Sequence, residues 1–379
     1  MDNVASSQTR NQAGSQAQSQ TDSQASSETR NLASSKTQNQ TSSLASIQTR
    51  NQTSSLASSE TRNQASSKTQ NRASSKTQNR ANSLTTIHDN DITTSHKDRS
   101  IEICGVRWKN PITTAAGTFA IRESGKYYDY TKLGSITTKG VAPQAWEGNP
   151  TPRIAETPSG MLNAVGLENP GVDAYIKNDL PILENQDVVV IANVAGHSED
   201  EYIDVVKKLR GTRVDMLEIN ISCPNVSCGG IAFGTDAETA ARLTAKIKKV
   251  ADKPVIIKLS PNVTDIVSMA QAVEAAGADC ISMINTLLGM RLNLKTGLPI
   301  LANATGGLSG PAILPVAIRM IYQVSRAVDI PIIGMGGVST GADAYEMLLA
   351  GAQAVAVGTA ALSDPVAPIR ILEELEGYL

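Results

Sequence analysis

The segment Glu218-Ile-Asn-Ile-Ser-Cys-Pro-Asn225 carries a thiol, Cys223, with two carboxamides, Asn220 and Asn225, close by. Its first half alternates apolar and polar residues as a strand does. Its second half meets Pro224 and then the run Cys228-Gly-Gly-Ile-Ala-Phe-Gly234, where a strand stops and a loop begins. A thiol at such a junction can serve as nucleophile or base, and amides beside it can orient a polar planar ligand. The paired glycines Gly229-Gly230 suit the hinge of a lid.

Such a group needs elements to hold it. From Ile101 onward the chain alternates strand-like and helix-like stretches. Strands are expected at Ile112–Ala116, Ser135–Thr138, Val188–Val194, Met216–Ile221, Val255–Leu259, Cys280–Ile284, Pro331–Met335 and Ala354–Val357. Helices are expected at about Asp265–Ala276, Ala312–Ala327, Ala342–Leu349 and Pro368–Leu375, and capping boxes at Ser198–Glu201 and Thr235–Glu238. Gly277 and Gly351 stand where a left-handed helix stop is wanted. The strands are short Val/Ile runs, as in a sheet buried on both faces. Eight of them, each followed by a helical segment, predict an α/β fold, a (β/α)8 TIM barrel; a doubly wound open sheet is the alternative. The second crossover is long and irregular.

In a barrel the site lies at the C-terminal ends of the strands. Those ends carry Ala116-Gly117, Lys139-Gly140, Asn193, Asn220 with Cys223, Lys258, Asn285-Thr286, Gly336-Gly337 and Gly358-Thr359. Glycine-rich ends on the last two strands, together with Gly306-Gly-Leu-Ser-Gly310, offer backbone N–H groups to a phosphate. Tight turns would need the same glycines. With Lys139 and Lys258 aimed at the same mouth, a phosphorylated cofactor is the better reading. No dinucleotide fingerprint opens the barrel, so flavin mononucleotide (FMN) fits better than a nicotinamide cofactor held by this chain. No metal is expected: His88 and His96 lie in or beside the N-terminal tail, leaving His197 alone. Cys223 and Cys228 lack the further ligands an iron–sulfur cluster needs.

Residues 1–95 are of another kind, rich in Ser, Gln, Thr, Asn and Ala, with no Trp, Tyr, Phe, Cys or Pro. Ala65-Ser-Ser-Lys-Thr-Gln-Asn-Arg72 recurs as Ala73-Ser-Ser-Lys-Thr-Gln-Asn-Arg80. Scattered Ala and a few Leu or Ile cannot offset the entropy of ordering, so 1–95 is read as a disordered low-complexity repeat tail and 96–379 as the barrel domain. A transit peptide or a mis-assigned start are alternatives for the tail. The net charge of −2 divides into +3 on the tail and −5 on the rest, which calls for neither nucleic acid nor an anionic membrane. Four cysteines without a secreted framework, Cys280 within an apolar strand, and no membrane-length apolar run point to a cytoplasmic protein.

Several stretches are long and specific: Gly160-Met-Leu-Asn-Ala-Val-Gly-Leu-Glu-Asn-Pro-Gly171, Ile191-Ala-Asn-Val-Ala-Gly196, Asn220-Ile-Ser-Cys-Pro-Asn225, Lys258-Leu-Ser-Pro-Asn262 and Gly334-Met-Gly-Gly337. Met283-Ile-Asn-Thr-Leu-Leu-Gly-Met-Arg291 and Thr305-Gly-Gly-Leu-Ser-Gly-Pro311 join them. On these motifs the chain, from about Ile101 on, resembles class 1B dihydroorotate dehydrogenase catalytic subunits. The resemblance implies oxidation of dihydroorotate to orotate in pyrimidine synthesis. Cys223 would be the base, where membrane-bound class 2 has Ser, and FMN would accept the hydride. It also implies a separate electron-transfer subunit with FAD and an iron–sulfur cluster, passing electrons to NAD, and a homodimer within a heterotetramer.

Carried over by motif, Gly117, Lys139, Gly140, Asn193, Asn220, Lys258, Ile284, Gly310, Gly336, Gly337, Gly358 and Thr359 would hold the flavin. Lys139, Asn163, Ala164, Val165, Gly166, Leu167, Asn220, Asn225, Asn285 and Thr286 would hold the substrate. Two departures are the tail and Ala116, where the family commonly has Ser. The competing readings are a fumarate-dependent class 1A-type enzyme and an interaction protein built around the tail.

Overall fold

The computed structural model describes residues 98–222 and 233–379. The tail, Cys223, Asn225, Cys228 and the Gly229-Gly230 pair lie outside these residues.

The described chain opens with a hairpin, β1 (Ile101–Ile103) and β2 (Val106–Trp108). Its two-residue turn, Cys104-Gly105, has positive φ at both positions (54° and 78°), the geometry that matches the twist of a hairpin. Next come β3 (Ile112–Thr114), β4 (Ser135–Thr137), β5 (Ile154–Thr157), β6 (Gly160–Asn163), β7 (Val189–Val194), β8 (Met216–Asn220) and β9 (Val255–Lys258). The last strands are β10 (Cys280–Met283), β11 (Leu287–Gly289), β12 (Gly306–Ser309), β13 (Ile332–Met335) and β14 (Ala354–Val357). Six longer helices follow barrel strands: α1 (Glu199–Lys208), α2 (Ala237–Lys248), α3 (Ile266–Ala275), α4 (Leu314–Val324), α5 (Gly341–Ala350) and α6 (Ala367–Leu375). After β3 there are only the short helix Ile121–Ser124 and a 3-10 turn at Tyr130–Lys132, and after β4 a composite helix over 172–183 with a π turn at Tyr175–Asp179.

Eight strands run parallel in the order β3-β14-β13-β10-β9-β8-β7-β4, as a (β/α)8 barrel requires. The seam between β3 and β4 is closed largely through side chains. Gly134 N–H donates to Ile112 O at 3.0 Å. Beyond it, Thr114 Oγ1 accepts from Thr137 N–H at 2.9 Å and donates to Thr137 O at 3.3 Å, while the Ser135 and Thr113 hydroxyls meet at 2.6 Å. All eight expected strands are present, most a residue or two shorter than expected.

Side chains alternate along each strand. Outward residues such as Val190, Leu217, Ile257, Ile281 and Val355 pack in the cluster that includes the buried faces of the helices. Inward residues Ile191, Met216, Ile256, Cys280, Ile333 and Ala354 fill the lower barrel, where Ile103 and Trp108 of the hairpin plug it, both fully buried. Burying such side chains stabilises by roughly 1.5–3 kcal/mol each. Cys280 is the small core residue expected.

The helix starts correct two details. Ser198 Oγ accepts from Glu201 N–H, but Glu201 Oε2 accepts from His197 N–H at 2.7 Å instead of closing the reciprocal box. The second box is displaced by one residue: Asp236 is the cap, its carboxylate accepting from Thr239 N–H at 2.8 Å. A full box occurs at Thr340 and Asp343, opening α5. Gly277 and Gly351 do take positive φ at helix ends.

The long crossovers hold a second sheet, in the order β11-β12-β6-β5, that the strand pattern did not reveal. Its Leu162, Leu308 and Ala155 face pack in a small cluster with Ala164 and Leu301. The opposite face, with Ile154, Met161, Asn163 and Ser309, turns to the cavity described next.

Candidate active site

One cavity of about 290 Å³ opens at the C-terminal ends of the barrel strands. It gathers Gly117, Lys139, Gly140, Asn193, Asn220, Lys258, Ile284, Gly336, Gly337, Gly358 and Thr359 of the expected cofactor set. Asn163, Val165, Gly166, Leu167, Asn285 and Thr286 of the expected substrate set join them. Gly310 and Ala164 do not line it. Gly310 packs on Gly160, where an added Cβ would come within 2.6 Å of Gly160 Cα, and Ala164 is fully buried beneath the cavity wall. Cys223 and Asn225 lie outside the described residues.

Each polar group is held by its strand and its neighbours. On β8, Asn220 Oδ1 accepts from Ser222 Oγ at 2.9 Å, and Ser222 Oγ in turn accepts from Asn285 Nδ2 at 2.6 Å. Ser222, buried and immediately before Cys223, thus ties the amide that ends β8 to the one just after β10. The Tyr202 hydroxyl donates to Asn220 O at 2.7 Å. Asn193 Nδ2 donates to Glu218 Oε1 at 2.6 Å, which settles the flip of that amide and leaves Oδ1 buried with no partner among the described residues. Gly140 lies against that oxygen, and a Cβ there would approach it to 2.7 Å.

Charge at the mouth comes from two lysines. Lys258 is 4% exposed, with Nζ 3.8 Å from Glu218 Oε1. Lys139 is half-buried, and burial holds its ammonium below the usual lysine range; nearby Glu168 opposes this and Arg153 adds to it. Arg153 itself is paired with Glu168.

The residues fit a flat, phosphorylated ring system. The orphaned Asn193 Oδ1 is a buried acceptor that calls for a donor such as a ring N–H, since leaving it unmade costs about 1–3 kcal/mol. Lys258 offers a cation beside it. Gly117, at φ +89° with open space where a Cβ would stand, leaves room for a ring against the backbone. Gly336-Gly337 and Gly358-Thr359 end adjacent strands, β13 and β14, the place where barrels expose N–H groups to phosphate.

Residues outside the expected cofactor and substrate sets are informative. Met161 and Ser309 reach the cavity from the second sheet, and Ala115, Ala116, Met335 and Ala356 form small or apolar wall opposite the polar quarter. A second cavity of about 480 Å³ adjoins the first and shares Gly117, Thr118, Lys139 and Leu362 with it. Phe119, Tyr127, Tyr128 and Tyr175 line this annex. Burial pushes the Tyr128 phenol up to about 12 and raises that of Tyr175 as well.

Comparison with known proteins agrees with the geometry. A family model described as dihydroorotate dehydrogenase matches residues 99–379. A protein of Alkaliphilus metalliredigens, named dihydroorotate dehydrogenase B (NAD(+)), catalytic subunit, is 56% identical over 280 residues, 74% of this chain and 93% of its own. Proteins of the same name from Anoxybacillus flavithermus and Listeria monocytogenes are 57% identical over 282 residues and 58% over 278, covering 74% and 73% of this chain and 90% and 91% of theirs. With matches of this length and a barrel mouth of this composition, the chain belongs to the dihydroorotate dehydrogenase family.

Proposed function

We propose that the chain oxidises dihydroorotate to orotate in pyrimidine synthesis, as the catalytic part of an NAD-linked enzyme. The observation that carries this reading is the single mouth at which Lys139, Lys258, Asn193, Asn220, Asn163 and Asn285 converge, in a member of this family. The reaction removes a proton from C5 and a hydride from C6 of the substrate. FMN, when bound, would supply the hydride acceptor. The acceptor oxygen of Asn193 and the ammonium of Lys258 would hold its ring, with the strand-end N–H groups of Gly336, Gly337, Gly358 and Thr359 on its phosphate. Lys139 would hold the substrate carboxylate, and Asn163, with Asn220 and Asn285 kept in register by Ser222, would match the ring amides.

Cys223 is the proposed base for the C5 proton. A free thiol has a pKa of about 8.5, so only a few per cent is thiolate near neutral pH unless the site lowers it. The name shared by the relatives supports a partner subunit, proposed here to carry FAD and an iron–sulfur cluster, within a heterotetramer built on a homodimer. Apolar side chains at alternate positions, Leu288, Met290, Leu292 and Leu294, are exposed on the β11 excursion, the last of them 97%; such a run is what a protein contact would cover. No helix among the described residues is long and apolar enough to cross a membrane.

The purified chain should be yellow, release FMN on denaturation, and be bleached by dihydroorotate in a single turnover. In Cys223→Ser that bleaching should slow and its pH dependence move upward, because a hydroxyl is a far weaker acid than a thiol. NAD-linked turnover should appear only with the electron-transfer subunit added. A colourless chain that takes up no FMN ends the flavin reading, and unchanged bleaching in the serine variant removes Cys223 as base. Turnover with fumarate alone would favour a class 1A-type enzyme.

A further inference from the structure

One buried group stands behind the cavity wall, lining no part of the mouth itself but holding two residues that do. Glu218 lies in the middle of β8 and is 2% exposed. Its Oε1 accepts from Asn193 Nδ2 of β7 at 2.6 Å, and its Oε2 accepts from Ser282 Oγ of β10 at 2.7 Å. Lys258 of β9 places Nζ 3.8 Å from Oε1. A single carboxylate therefore joins four consecutive barrel strands. Asn193 and Lys258 line the cavity; Glu218 and Ser282 do not.

Removing a carboxylate from water is expensive, and a well-fitted hydrocarbon in its place is often neutral or stabilising. The inward layer beneath consists of such hydrocarbon, Ile191, Met216 and Ile256 on these strands. The charge therefore calls for a reason other than stability, and two local effects supply one. The bond to Asn193 Nδ2 turns Oδ1 toward Gly140, where that oxygen remains without a partner. The negative charge behind Lys258 also offsets part of the positive field that its ammonium sends into the cavity.

We propose that Glu218 is a positioning residue that fixes the acceptor face of Asn193 and sets, through Lys258, the net charge felt by the ring bound above it. This rests on the flavin reading of the site. A reduced flavin that carries negative charge is favoured by Lys258 and disfavoured by Glu218. Removing the carboxylate charge thus favours the reduced over the oxidised ring and raises the potential. Glu218→Gln keeps size and shape and removes the charge. Glu218→Asp keeps the charge but withdraws the carboxylate from Asn193, so it should weaken flavin retention while moving the potential far less.

The test is the midpoint potential of the bound flavin in wild type and both variants, by dye-linked reductive titration, with flavin retention on dilution measured beside it. The Gln variant is expected to favour the reduced form by about tenfold or more, a rise of about 30 mV or more for a two-electron couple. A Gln potential equal to wild type overturns the proposal, as does an Asp variant that moves as far as Gln. If neither variant retains flavin, Glu218 is a folding element and the proposal falls. A wild-type chain that binds no flavin defeats the functional reading first, whereas a yellow wild type with an unmoved Gln potential defeats only this inference.

Discussion

Lys139 is the residue whose environment makes the most direct statement about pH. Burial lowers its pKa from the ordinary 10.5, so in the free enzyme its ammonium is lost at a lower pH than on an exposed lysine. A bound carboxylate favours the charged form and returns the pKa upward. Substrate affinity should therefore be full at neutral pH and fall as pH rises through the free-enzyme value, giving kcat/KM an alkaline limb that kcat at saturation lacks. Lys139→Met should abolish that limb and raise KM by about 10- to 100-fold, the worth of a charge-assisted hydrogen bond. pH profiles of kcat/KM for the two proteins check this; an alkaline limb retained in the Met variant would show that another group produces it. Glu218 shows what a motif cannot say. It stood in the quoted strand segment, yet only the period-two alignment with Met216 and Asn220 puts it inside the barrel, and only the fold brings Asn193, Lys258 and Ser282 to it.

Among the elements, barrel strands were legible because Val/Ile runs between turn signals are a local pattern. β6 and β12 were not. Gly160-Met-Leu-Asn163 and Gly306-Gly-Leu-Ser309 carry no β-branched residue, and they pair with each other across more than a hundred residues of chain. The shifted cap at Asp236 has a similar cause, since two adjacent residues both suit the role and geometry chooses between them. The β3–β4 seam carries its own prediction. Thr114→Val keeps the shape but leaves the Thr137 N–H and carbonyl without their buried partner. It should cost about 1–3 kcal/mol, read as a lower denaturant midpoint at unchanged slope. An unchanged midpoint would show that the seam is held by backbone contacts alone.

For the whole molecule, the family match begins at residue 99, and every described site residue lies beyond it. We propose 96–379 as the catalytic domain. Deleting 1–95 should leave flavin content and turnover per flavin unchanged, and a truncated chain that loses either would make the repeat tail part of the enzyme. Efforts to make this molecule more heat-resistant meet a different difficulty. A buried carboxylate beneath the mouth is expensive to keep, and replacing it with Met or Leu is the sort of change that selection for melting temperature alone rewards. Heat resistance obtained there would be traded against the electrical setting of the ring above, so a thermostable descendant of this barrel is better sought in its hairpin plug and outer helices.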